Sequence, residues 1–106
     1  MQSILHFING EERPAESGSW IDVHEPATGL VYAQLADGDA RDVDSATEAA
    51  HQAFPVWRAL GVEGRSRILL KLADLIERDL EMFVAAESRD NGKPLSVARS
   101  VDIPRA

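Results

Sequence analysis

Asn91-Gly92-Lys93-Pro94 is the stretch of this 106-residue chain whose residue types come nearest to binding chemistry. Gly-Lys ends a phosphate-cradling loop, where main-chain N–H groups and the lysine ammonium face the phosphate oxygens. That loop also requires Ser or Thr after the lysine and a glycine five residues before Gly92. Pro94 and Glu87 stand in those places, and no Gly-x-Gly-x-x-Gly occurs anywhere. Gly64-Arg65-Ser66-Arg67-Ile68 begins like the strained turn that presents a nucleophilic serine, but Ile68 replaces the second glycine. It also sits at a helix start rather than after a strand.

The remaining titratable residues fare no better. His6, His24 and His51 are dispersed over strand, strand end and helix, without the spacing of metal ligands. Glu87 follows Phe83 and Ala86, where burial would raise its pKa if it stayed unpaired. Pairing with Arg65, Arg89 or Lys93 is the stronger reading. Asp37, Asp39, Asp42 and Asp44 read as helix-start electrostatics. The chain has no cysteine, which removes disulfides, thiolate ligands and a cysteine nucleophile. No complete catalytic constellation is present, and no catalytic residue is assigned.

Composition narrows the partners. Eighteen acidic against 11 basic residues give a net charge of −7. That balance disfavours nucleic acid, whose binding needs a basic face that releases counterions, and it disfavours anionic membrane surfaces. Residues 1–8 have no basic leader region, and no apolar run approaches the ~20 residues of a bilayer span. A soluble, cytoplasmic protein without nucleic-acid or membrane partners is the expectation.

The elements that would position any site follow from periodicity. Residues 5–8 run into Asn9-Gly10, the strongest two-residue hairpin signal. Residues 20–24 alternate apolar and polar side chains, Glu25-Pro26-Ala27-Thr28-Gly29 reverses the chain, and residues 30–35 extend again. Asp39 is a candidate N-cap for a helix with a stripe of Val43, Ala46, Ala50, Ala53 and Phe54. Pro55 is expected to stop that helix. A second helix begins at 61 or 62 and runs to 78, with Ile68, Leu69, Leu72, Leu75 and Ile76 on one face. Asp79 is the expected cap of a third, 80–91, which Gly92 ends as a left-handed residue. Pro94 suits the first turn of a fourth, 95–103. The fold class is α+β: hairpins over 1–36, then three to four helices over 39–106.

The ordered set Phe7-Ile8-Asn9-Gly10, Glu25-Pro26-Ala27-Thr28-Gly29, Asp42-Val43-Asp44, Ala53-Phe54, Trp57, Arg65-Ser66-Arg67-Ile68-Leu69, Leu72–Glu77 and Asp90-Asn91-Gly92-Lys93-Pro94 resembles the N-terminal region of the NAD(P)-dependent aldehyde dehydrogenase superfamily. The tail from Ala98 to Arg105 is similar to the aminomuconate- and hydroxymuconate-semialdehyde branch. Glu25-Pro26 departs from the family's commoner Asn-Pro, and Gly61 stands where a Ser or Thr cap is frequent. The resemblance implies that residues 1–106 are an incomplete part of a cofactor-binding domain within an α/β fold. It also implies a homo-oligomeric parent that oxidises aldehydes with NAD or NADP. The catalytic cysteine and the Rossmann strands would then lie beyond residue 106, and this chain alone would bind no cofactor.

One further site follows from the resemblance: a structural monovalent cation held by main-chain oxygens of Val23 and His24 and the carboxylate of Asp102. Carbonyl and carboxylate oxygens suit a hard cation. The rival to the enzyme-fragment reading is a stand-alone helical interaction module that uses its apolar faces to bind a partner.

Overall fold

Asn9 and Gly10 adopt φ angles of 56° and 80°, the paired positive values that a type I′ turn requires. In the computed structural model, which describes residues 1–106, this turn joins strands β2 (His6–Ile8) and β3 (Glu11–Arg13). They pair antiparallel, His6 opposite Arg13 and Ile8 opposite Glu11. The α+β architecture is the expected one, strands first and helices after. By internal packing the chain divides into two units, Met1–His24 with Val31–Ala59, and Glu25–Leu30 with Leu60–Ala106.

Within the first unit, a three-stranded sheet has the order β1-β5-β4, from β1 (Gln2–Ile4), β4 (Trp20–Glu25) and β5 (Leu30–Ala36). β1 is an addition to the sequence reading. It runs parallel to β5, with Gln2 opposite Ala33 and Ile4 opposite Leu35. Three residues are too few to show a period, and a parallel partner some thirty residues away leaves no local mark. The unit's core is small: Ile8, Ala15, Ala33, Ala36 and one charged residue, Asp42, are buried.

Helix α1 spans Ala40–Ala59 and runs straight through Pro55, which corrects the expected stop. Proline removes the N–H that would reach the His51 carbonyl. Both residues are exposed, so water can take that carbonyl, and no glycine interrupts the chain before Gly61. The next helix opens at Gly61, whose φ of 70° breaks the helical run. The expected apolar stripe does not become core. Val43 is 63% and Phe54 57% exposed, and the alanines 46, 49, 50 and 53 line an open trough of about 400 Å³ beside Phe7 and Ile8.

In the second unit, the 25–30 turn closes with the Gly29 N–H donating to the Glu25 carbonyl at 2.8 Å, Gly29 taking φ 72°. Helices α2 (Gly61–Arg78) and α3 (Leu80–Asn91) follow as expected. Asp79 does not cap α3 through its side chain, because Arg78 holds its carboxylate at 2.7 and 3.0 Å. Gly92 ends α3 at φ 79°, its N–H donating to the Ser88 carbonyl at 2.9 Å. Pro94 is the N-cap of a last helix that starts at Leu95 as expected, runs to Arg105 and has three parts: α4 (Leu95–Val97), a π-helical stretch (Ala98–Asp102) and α5 (Ile103–Arg105). The Ser100 hydroxyl donates to the Ser96 carbonyl at 2.7 Å, competing with the main-chain ladder where the coil widens. Val84 and Ala98 are fully buried.

α2 has no buried residue. Ile68, Leu69 and Leu72 are about half exposed, at 48%, 56% and 51%. Burying such side chains is worth about 1.5–3 kcal/mol each, so most of the gain available to this face is unrealised within the chain.

Candidate functional site

The best-organised polar centre lies at the start of α1, in the first unit. Asp39 is the N-cap, its Oδ1 accepting the Arg41 N–H at 2.8 Å. Asp42, three residues on, returns the favour: its Oδ2 accepts the Asp39 N–H at 2.9 Å. This is the return half of a capping box, with aspartate in the place usually held by Glu or Gln, while the N-cap side chain takes the N2 rather than the N3 N–H. Asp42 Oδ1 also accepts the Glu16 N–H at 3.1 Å, tying the loop before β4 to the helix. These N–H donors, Asp39's first, hold the Asp42 carboxyl below the usual aspartate range against the opposing effect of its burial.

His6 approaches the same carboxylate, with Nε2 3.9 Å from Asp42 Oδ1, too long for a hydrogen bond. Nε2 is buried and has no hydrogen-bond partner. Gly38 closes over the imidazole: a Cβ there would sit 2.9 Å from Nε2, so a side chain at this position would displace the ring. Asp39 and Asp42 thus serve the helix start, as the sequence suggests, with Asp42 buried as a joint. The signal was Asp39-x-x-Asp42, a capping-box spacing that aspartate partly disguises.

The Gly-Lys segment is used up by structure. Asn91 Oδ1 accepts the Lys93 N–H at 2.9 Å, the Ser88 hydroxyl donates to the Lys93 carbonyl at 2.6 Å, and Lys93 Nζ lies 2.9 Å from Asp102 Oδ2. A phosphate would find neither free amides nor a free ammonium here. Glu87 accepts a short hydrogen bond from the Asn91 amide. Of the cations proposed for it, Arg89 lies 3.4 Å from Glu25 and Lys93 engages Asp102.

The expected cation ligands are distributed over both units. Val23 and His24 belong to β4 and the first unit, while Asp102 lies in the π-helical stretch of the second. The Asp102 side chain is 22% exposed, and its carboxylate is paired with the Lys93 ammonium at 2.9 Å. No cluster of three or more His, Asp or Glu side chains suited to a metal occurs.

The other perturbed carboxyls are poor acids. Arg41 beside Asp39, Arg78 beside Asp79 and Arg99 beside Glu81 each hold a carboxylate below its ordinary value by hydrogen bonding to it. A general acid needs the reverse shift. The arrangement can cap helices and carry apolar faces. No helix is long and apolar enough to cross a membrane.

The profile of the "Aldehyde dehydrogenase family" matches residues 13–106. The chain is 48% identical over 101 residues to 2-aminomuconic semialdehyde dehydrogenase of Danio rerio and 43% to that of Homo sapiens, covering 95% of this chain and 20% of each relative. The solved structure of PnpE from Pseudomonas sp. WBC-3 superposes with a TM-score of 0.93 at 44% identity, over 99% of this chain and 21% of PnpE. PnpE has also been solved in complex with nicotinamide adenine dinucleotide. The chain therefore spans about a fifth of the length of the relatives it matches.

Proposed function

This chain belongs to the aldehyde dehydrogenase family, and we propose that it serves as the N-terminal scaffold of an enzyme that oxidises an aldehyde to a carboxylic acid with NAD or NADP. The observation that carries the reading is the match of residues 13–106 to the family. Semialdehydes of the aminomuconate type are the proposed substrate class, supported by the relatives' identity and by the Ala98–Arg105 tail. The rest of that fold is the partner that covers the exposed α2 face. Homo-oligomerisation, a cytoplasmic location and the absence of nucleic-acid or membrane partners belong to the same proposal.

The working groups are placed outside residues 1–106, since the chain has no cysteine to attack the aldehyde carbonyl. In such an enzyme the cofactor accepts hydride; what these residues supply is position. The test is the reading frame after codon 106. Continuation into a strand–glycine-rich turn–helix pattern and a later cysteine supports the proposal, and an immediate stop overturns it.

Val23, His24 and Asp102 are retained as a proposed structural cation site. The hard oxygen donors favour it, and the Asp102 carboxylate, paired with Lys93, would have to exchange that ammonium for the ion. In the full-length protein, replacing potassium and sodium by choline is expected to lower the melting temperature, and Asp102→Ala to abolish that difference. Equal melting in all three salts would refute it.

A further inference from the structure

The chain contains two Asn-Gly pairs, Asn9-Gly10 and Asn91-Gly92, and their surroundings are opposite. We propose that Asn9 is a site of spontaneous modification to aspartate and isoaspartate, while Asn91 is protected by the fold.

Glycine after asparagine leaves the main-chain nitrogen without a neighbouring Cβ, so that nitrogen can reach the side-chain amide carbon. At Asn9 the Gly10 nitrogen gives up its proton and bonds to Cγ. The Cγ–Nδ2 bond breaks and ammonia leaves with that proton. One water then opens the five-membered imide, at Cγ to give aspartate or at the main-chain carbonyl carbon to give isoaspartate. Asparagine and water go in, the acid and ammonia come out, and no oxidant or other reactant is needed.

Local structure decides which pair can follow this course. Asn9 and Gly10 are exposed at the tip of a hairpin whose strands have three residues each. Apart from its chain neighbours, nothing lies within 4 Å of where a Gly10 Cβ would be, so no other element crowds the turn. A two-stranded ribbon this short opens readily, which gives the turn the rotation that ring closure requires. Asn91 is held at both ends of its amide: Nδ2 donates to Glu87 and Oδ1 accepts the Lys93 N–H at 2.9 Å. It closes helix α3, and Gly92 is crowded by Pro26, which would meet a Cβ at 3.2 Å.

The product matters to the first unit. Isoaspartate adds a main-chain atom to a turn that depends on two positive φ angles, so the pairing of His6 with Arg13 and Ile8 with Glu11 cannot persist. β2 also carries His6 toward Asp42 and the buried Ile8 into the core.

Incubation of the purified chain in mildly alkaline buffer, followed by peptide mapping with isoaspartyl-methyltransferase labelling, tests this. Conversion at Asn9 is expected several-fold ahead of Asn91, and the two are expected to converge in denaturing urea, where only the shared Asn-Gly chemistry remains. Three outcomes overturn the proposal: Asn91 keeping pace in the native chain, a ratio that persists unchanged in urea, or Asn9 staying intact in the native chain while the urea sample converts.

Discussion

Asp42 accepts the main-chain N–H of Asp39 at 2.9 Å while its other oxygen accepts that of Glu16 at 3.1 Å. One buried carboxylate thus closes the N-terminus of α1 and pins the loop that leads into β4. Asp42→Ala leaves two N–H groups without partners and is expected to lower the melting temperature clearly, because stranded donors cost more than the bond itself is worth. Asp44→Ala, without those bonds, is the control. Thermal unfolding followed by circular dichroism checks the pair, and equal effects would contradict the role given to Asp42.

The same carboxylate sets an acid response. Its pKa is depressed in the folded state, chiefly by the Asp39 N–H, so the stability it confers is present above the ordinary value of 3.8 and is lost as pH falls toward the folded value. The net charge of −7 also relaxes as pH approaches 4.8, which makes the difference between wild type and Asp42→Asn the informative quantity. That difference in melting temperature is expected to be constant above the ordinary aspartate range and to shrink below pH 3.8. A difference that widens in acid would reverse the sign and refute the assignment.

Burial divides the apolar residues of the second unit sharply. Val84 is fully buried, whereas Leu72 is 51% exposed. Val84→Ala is expected to cost about 2 kcal/mol, and Leu72→Ala, though a larger truncation, less than about 1 kcal/mol in this chain. Urea unfolding measures both. A larger loss at Leu72 would mean that the α2 face is covered.

Pro55 sits inside α1 without an N–H for the His51 carbonyl. Pro55→Ala restores that bond and is expected to raise stability by about 1–2 kcal/mol, less than the full helix-propensity gap because the unfolded chain also gains freedom. The urea midpoint and the helical circular-dichroism signal report it. Loss of stability would mean that the proline conformation is required where it stands.

The elements whose signals are local were legible in the sequence. Asn9-Gly10, Glu25–Gly29 and Gly92 are turns because of residues within a few positions of themselves, and all three formed as read. Elements fixed by distant partners were not. β1 exists through its pairing with β5, whereas Asp79 lost its capping role to a competitor right beside it, Arg78. Pro55 failed as a stop because an exposed carbonyl can be left to water. The joint at Asp42 was visible as spacing, but the burial that gives it weight depends on Glu16 and His6, far away in sequence. The faces of α1 and α2 could be recognised as apolar and in want of a partner, whereas the degree of their exposure became evident only in the structure.

The central claim is that these residues are the scaffold of an aldehyde-oxidising enzyme rather than its reaction centre. The direct measurement is NAD- and NADP-dependent oxidation of a semialdehyde, followed as reduced-cofactor absorbance, with residues 1–106 and the protein encoded by the continuing reading frame assayed side by side. No turnover by 1–106 and clear turnover by the longer protein is the predicted result. Aldehyde oxidation by residues 1–106 alone, or none by a folded longer protein that carries the cysteine, would contradict it.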